Sequence, residues 1–286
     1  MLREIRDLGF EYAELSHGIR ISLLPGILEA VEAGEIKISS LHNYCPLPMG
    51  VSHAAPNIFQ FSSADKRERE NAFRHSIKTI ELAARVNARA VVLHVGRIDM
   101  KEFTDKLLES VQKGNRETER YADLCETMMG KRERHRRECT EASIEMVRRL
   151  IPKAEELGIK LGVENREKVE EIPVEMDFGL ILQELNHPGV GYWHDMGHAQ
   201  IKENLGFLNH AMFLESLADR LVGFHVHDVQ FPGRDHCAPG TGMINYASLT
   251  PMVKPEHLKV FELSPRLEVE EVRRGVEHIF QIWGKE

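Results

Sequence analysis

SIEMVRRLIPKAEELGIKLGVENR, residues 143–166, contains the unit on which the whole chain is built. Its first part places apolar residues at Val147, Leu150 and Ile151, the i, i+3, i+4 spacing of a helix with one buried face. Gly158 ends that pattern, and KLGVENR (160–166) follows as a short strand-like run that closes on polar residues. The alternation recurs along the chain. Strand-like runs stand at YAELS (12–16), KISSLHN (37–43), AVVLHVG (90–96), GYWHD (191–195), LVGFHVHD (221–228) and KVFELSP (259–265). Helix-period segments lie between and around them, among them REIRDLG (3–9), LLPGILEAVEAGE (23–35), ERENAFRHSIKTIELAARVNA (68–88) and VEEVRRGVEHIFQIW (269–283).

Successive βα units of this kind predict a parallel sheet. No Gly-rich phosphate loop follows any strand, which argues against an open nucleotide-binding sheet. Polar residues recur at the strand ends instead, and a TIM (β/α)8-type barrel accounts for them. The runs supply seven strands where such a barrel has eight, and the chain opens in a helix pattern, so the first strand is missing or replaced at the N-terminus. An open edge there exposes unpaired backbone groups, which predicts cover by a loop or by a second copy of the chain in a homodimer.

The chain has 286 residues, 42% of them hydrophobic, enough for one barrel domain over 1–286. Residues 97–140, with RETERYADLC and KRERHRREC, form a charged helical insertion whose basic run is expected to be a solvated face. A net charge of −8 gives no general attraction to nucleic acid. Cys45, Cys125, Cys139 and Cys237 are widely spaced, without a C-x-x-C pair, and read as free thiols. No apolar run is long enough to span a bilayer and the N-terminus lacks a signal pattern, so a cytoplasmic location is expected.

In a β/α barrel, residues at the carboxyl ends of the strands converge on one mouth. Those residues here are His42, His94, Glu164, Asp195, His225 with His227, and Glu262. A carboxylate buried in an apolar strand must be paired, hydrogen-bonded or bound to a metal. Two glutamates, an aspartate and a histidine suit Mn or Mg, and further histidines such as His198 shift the preference toward Zn or Co. His225 and His227 share one face of a strand, so spacing leaves the choice of ligand between them open. The structural alternatives are an ion pair of Glu164 or Glu262 with Arg166 or Arg266, and helix capping by Asp195 with His198 at the surface. His75, His135, His257 and His278 lie in charged helical surroundings and are expected at the surface.

The motifs SSLHNYCP, RENAFRHSIKTIELAARVNARAVVLHVG, GVENR, HDMGH, GFHVHD, DHCAPGTG and FELS, in this order, resemble the xylose-isomerase-like barrels. That superfamily includes sugar isomerases and epimerases and, more distantly, apurinic endonucleases. The resemblance implies one divalent metal ion (Mn, Mg, Co or Zn) held by Glu164, Asp195, His225 and Glu262, with His225 chosen because His225 and Asp228 fit the family's H-x-x-D. It implies that Glu164 and Glu262 are acid and base on opposite faces of a substrate. His198 matches a substrate-contacting or second-metal histidine. His236 precedes the G-x-G loop, and His42 and His94 match further metal-binding histidines of the endonuclease branch. Two departures separate this chain from both branches. Where the keto-sugar epimerases resemble E-x-x-N-R-x-E, the chain has Glu164-Asn165-Arg166-Glu167, and where the endonucleases have an acidic residue two before the loop histidine, it has Arg234.

The expected function is therefore a metal-dependent isomerase or epimerase of a small sugar, keto sugar or polyol ketone, moving a proton through an enediolate. Arg166 or Arg234 would meet an acidic group on the substrate. An apurinic-endonuclease-like phosphodiesterase predicts two or three metals, and a non-catalytic barrel predicts none.

Overall fold

The computed structural model describes residues 2–54 and 56–284. Nine strands are present among them: β1 Tyr12–Leu15, β2 Lys37–His42, β3 Ala90–Leu93, β4 Lys160–Glu164, β5 Val190–Asp195, β6 Leu221–Val226, β7 Asp228–Gln230, β8 Arg234–Cys237 and β9 Leu258–Phe261. Seven of these form one sheet in the order β1-β2-β3-β4-β5-β6-β9, and β7 and β8 form an antiparallel hairpin. All seven correspond to the strand-like runs of the sequence, and helix Leu2–Asp7 precedes β1 as the opening pattern indicated. The hairpin is a feature that periodicity did not show, because its short strands carry RDHC rather than an apolar run.

Local chemistry fixes the helix starts. The Asp65 carboxylate accepts the Arg67 amide at 2.8 Å and opens helix Lys66–Arg85. Glu268 and Glu271 form a reciprocal capping box for helix Val269–Trp283. The charged insertion differs from a separate appendage: it continues into the next predicted helix as one element, Glu119–Glu156. Its basic run is mostly solvated, with two exceptions. Arg132 is buried, and Arg136 pairs with Asp177 at 2.6 Å.

The chain divides into two compact units. The first comprises 1–96, 139–164 and 180–191, and its core includes Leu15, Ile38, Leu41, Ile80 and Val91. The second comprises 97–138, 165–179 and 192–286, with Trp193, Phe224, Tyr246 and Phe178 among its largest buried side chains. His257, expected at the surface, is buried in the second unit against Phe224, its Nδ1 accepting the Lys254 amide at 3.1 Å. No helix among the described residues is long and apolar enough to cross a membrane.

Candidate active site

β5 and β6 pair in parallel so that Asp195 stands directly beside His225, and β9 runs alongside β6 with Glu262 just past its end. This register brings the three side chains together. His225 Nδ1 lies 3.0 Å from Glu262 Oε2 and 3.5 Å from Asp195 Oδ2. Asp195 and His225 are fully buried, whereas the Glu262 side chain is 30% exposed. Gly223 makes room for this packing, since a β-carbon there would lie 2.7 Å from the Trp193 ring.

Asp195 does two things at once. Its Oδ1 accepts the His198 amide at 2.7 Å and so caps helix Met196–Asn204, while both oxygens lie 3.1 Å from His227 Nε2. Burial opposes its charge, but His198 and His227 hold it well below the usual carboxylate range. His227 is placed behind Asp195: the His236 amide donates to its Nδ1 at 2.9 Å, and the two rings stack 4.4 Å apart. Burial works against a charge on His227 and Asp195 favours one, raising its pKa to about 9. Charging the ring, however, removes the Nδ1 lone pair that the His236 amide uses. Gly197 is required here, because a β-carbon would collide with the His227 ring.

His236 itself has a φ of 52° and donates from Nδ1 to the Glu262 carbonyl at 2.9 Å. Asp228, the acid of the H-x-x-D pattern, is structural. Its carboxylate accepts the amides of Val229, Gly240, Gly242 and Ile244 at 2.8–3.1 Å, which folds the G-x-G loop around it.

The segment after β4 sorts its acids. Glu170 accepts the Thr104 amide and hydroxyl at 3.1 and 2.7 Å, and Glu171 holds the buried Arg166 at 3.1 Å. Arg166 is thus engaged by Glu171, and the exposed Arg234 reaches Gln230 at 3.4 Å. Glu167 is the acid left facing polar groups of the site: Glu167, His198 and Asp235 have potential ligand atoms within 4.8 Å of one another. Burial raises the Glu167 pKa, with His198 opposing the rise and Asp235 adding to it. His198 is buried and its Nδ1 donates to the Asn165 carbonyl at 2.9 Å.

The first unit contains a different cluster. His42 Nε2 and His94 Nε2 are 3.1 Å apart and lie 3.4 and 2.6 Å from Glu164 Oε2. His42 Nδ1 faces the Asn43 carbonyl at 3.0 Å and His94 Nδ1 faces Asn57 Oδ1 at 3.2 Å. With the ring protons on Nδ1, toward these acceptors, both Nε2 atoms and the Glu164 oxygen converge on one another. That is an arrangement a cation relieves.

Spacing left His225 and His227 open; in the structure His225 Nδ1 lies within 3.5 Å of both carboxylates, while His227 Nε2 lies 3.1 Å from Asp195 and its ring also groups with His236 and Glu262. Helix capping by Asp195 and its place beside His225 prove compatible, because the two use different oxygens. Sequence reasoning passed over Glu167 and the cluster Asn165, Tyr192, His194 and His210. The second acid after GVE in GVENRE was the available signal for the first; nothing local marks the others.

A model of the xylose isomerase-like TIM barrel matches residues 2–279. The chain belongs to this family. The family fold agrees with the parallel order of the seven-stranded sheet. Among solved structures of this fold, a D-tagatose 3-epimerase-like protein is 17% identical with a TM-score of 0.70, over 98% of this chain and 92% of that one. D-psicose 3-epimerase from Clostridium cellulolyticum H10, solved with D-tagatose, is 13% identical with a TM-score of 0.69, over 99% and 93%. The IOLI protein, solved with a zinc atom, is 15% identical with a TM-score of 0.66, over 99% and 93%. Identities this low establish the fold. No curated protein matches the sequence.

Proposed function

We propose that the protein is a divalent-metal-dependent epimerase or isomerase of a small sugar, keto sugar or polyol ketone. The observation that supports it most is the meeting of Asp195, His225 and Glu262, metal-ligand types from the ends of three neighbouring strands. Their donor set fits an ion: two carboxylates around one imidazole carry more negative charge than His225 neutralises, and a divalent ion would take its Nδ1 lone pair in place of the ring proton. Glu164, at the end of β4, is the fourth ligand in this reading. When bound, the ion stabilises negative charge developing on the substrate's oxygens.

The protein's own groups do the rest. Glu262, the one of the three with solvent exposure, is the base or acid that meets the substrate carbon, and Glu164 is its counterpart. Asp195, with its charge held by His227 and His198, stays ionised throughout. His198 and Glu167 bind substrate hydroxyls. His236, on the β7–β8 hairpin, is fixed by its bond to the Glu262 carbonyl and orients a substrate oxygen. The kinship of the solved epimerases supports a keto-sugar substrate by analogy of fold.

Elemental analysis of wild type and of a Glu164→Gln/Glu262→Gln variant tests the reading. About one ion per chain that falls in the variant, with epimerisation of a ketose on screening, is the expected result; no ion after reloading removes the site. The His42–His94–Glu164 cluster favours a second reading, a multi-metal phosphodiesterase of the endonuclease type, which predicts two or three zincs.

A further inference from the structure

On the face of β5 opposite Trp193 and Asp195, Tyr192 and His194 start a buried chain of polar contacts that ends in helix Met196–Asn204. The Tyr192 hydroxyl lies 3.0 Å from Asn165 Oδ1 and 2.6 Å from His194 Nδ1. His194 Nε2 lies 2.9 Å from His210 Nε2, and His210 Nδ1 lies 3.4 Å from Gln200 Oε1. Every member is at least nine-tenths buried.

The two ends of the chain are both acceptors. Asn165 is oriented by Asp195, whose amide donates to Oδ1 at 2.7 Å and whose carbonyl accepts from Nδ2 at 2.9 Å. Gln200 is oriented by its Nε2, which donates at 3.0 Å to both Glu203 and Asn204. Between these ends are four contacts. A neutral Tyr192, His194 and His210 supply one proton each, so one contact lacks a proton. Burial keeps the His210 ring neutral, its pKa down to about 4, and the facing Nε2 atoms of His194 and His210, 2.9 Å apart, leave room for one proton between the two rings.

Two opposed lone pairs are least unfavourable where atoms are furthest apart, and that is the 3.4 Å contact at Gln200. The other three protons then all point one way: His210 Nε2–H to His194, His194 Nδ1–H to Tyr192, and the Tyr192 hydroxyl to Asn165. Asn165 is the residue through which this chain reaches the site. Its carbonyl accepts from His198 Nδ1 at 2.9 Å, and its side chain brackets the backbone of Asp195.

We propose that Tyr192, His194 and His210 are positioning residues, whose one-directional hydrogen-bond chain fixes Asn165 and through it the His198 ring and Asp195. Its effect on metal binding rests on the proposed function; its effect on the ring tautomers does not.

Ring 15N NMR of the metal-free protein reads the chain directly. Wild type is expected to show His194 as the Nδ1–H tautomer and His210 as the Nε2–H tautomer. Tyr192→Phe removes one hydroxyl at almost constant volume and frees the chain to reverse toward Gln200, so both rings should switch to the opposite tautomers. In that variant the His198 Nδ1–H should exchange with solvent on the order of tenfold faster, and Co2+ should bind roughly tenfold more weakly by its visible absorption. His210→Gln, whose amide can still donate to His194, should keep the His194 tautomer and bind Co2+ within about twofold of wild type.

A wild-type His194 in the Nε2–H form overturns the proposal without any variant. So do unchanged tautomers in Tyr192→Phe, or a switch that leaves both His198 exchange and Co2+ affinity unaltered. If wild type fails to bind Co2+, the metal-dependent function falls, while the tautomers and His198 exchange still decide this inference.

Discussion

In the first unit two imidazoles face one carboxylate oxygen, whereas in the second two carboxylates face one imidazole. The arrangements also differ in what stands behind the ligand atoms. His42 and His94 are oriented by a carbonyl and an amide oxygen at Nδ1, with their Nε2 atoms turned to Glu164. Asp195 is backed by a helix N-terminus and by His227, which hold its charge. The nitrogen-rich cluster suits zinc, and the oxygen-rich one suits manganese or magnesium as well. Residue types alone would rank the two sites by their histidines. Packing separates them by how the charge is held and by exposure, since of the two glutamates Glu262 is the one that meets solvent.

The comparison breaks most readily at Glu262. Glu262→Gln should lower kcat by about 10²–10⁴-fold if this carboxylate moves the proton; steady-state assays on the ketose that wild type epimerises would show it. A loss below tenfold would leave the second cluster without its chemical role.

Asp228 tests whether the second unit's loop depends on a single acid. Asp228→Ala leaves four amides without their acceptor and should lower stability by about 3 kcal/mol in urea unfolding. Asp228→Asn should be milder, since one of its two oxygens remains.

A His42→Ala/His94→Ala variant sharpens the contrast between the clusters. Under the epimerase reading, the ion count should stay near one per chain and affinity should weaken by about tenfold, as Glu164 loses its supports. A drop from two zincs to one, read by elemental analysis, would move the first cluster from support to metal site.

The last effect is on pH. His210 has a pKa depressed to about 4 by burial, so the unfolded chain binds more protons than the folded one between that value and the ordinary histidine pKa of about 6.5. Its contribution to stability is complete above about 6.5 and is lost as pH falls toward 4, with a slope of at most about 1.4 kcal/mol per pH unit for each such group. Urea midpoints across pH 4–7 should flatten in His210→Gln; an unchanged slope would mean that this ring is protonated in the fold.

Much of the architecture was legible because it rests on local pattern. The seven strands of the sheet coincide with the strand-like runs of the sequence, and the helix Val269–Trp283 with a helix-period segment. The β7–β8 hairpin was not legible, since its strands are held by Asp228 and the loop folded around it rather than by an apolar face. His257 was misplaced at the surface because its charged neighbours in sequence say nothing of Phe224, which packs on it from β6. After Glu164 the chain offers three more glutamates, Glu167, Glu170 and Glu171, and only Thr104 and Arg166 show that Glu170 and Glu171 have structural partners.

The sequence by itself determined the succession of strands, the helices between them and the polar residue that closes each strand, because periodicity is a property of neighbours in the chain. Tertiary structure decided which partners each imidazole meets, which acids after β4 are held by Thr104 and Arg166, and how Tyr192, His194 and His210 are spaced. Those answers depend on contacts between residues far apart in sequence. The proton direction proposed for the chain turns on its two ends, 3.0 Å between Tyr192 and Asn165 and 3.4 Å between His210 and Gln200.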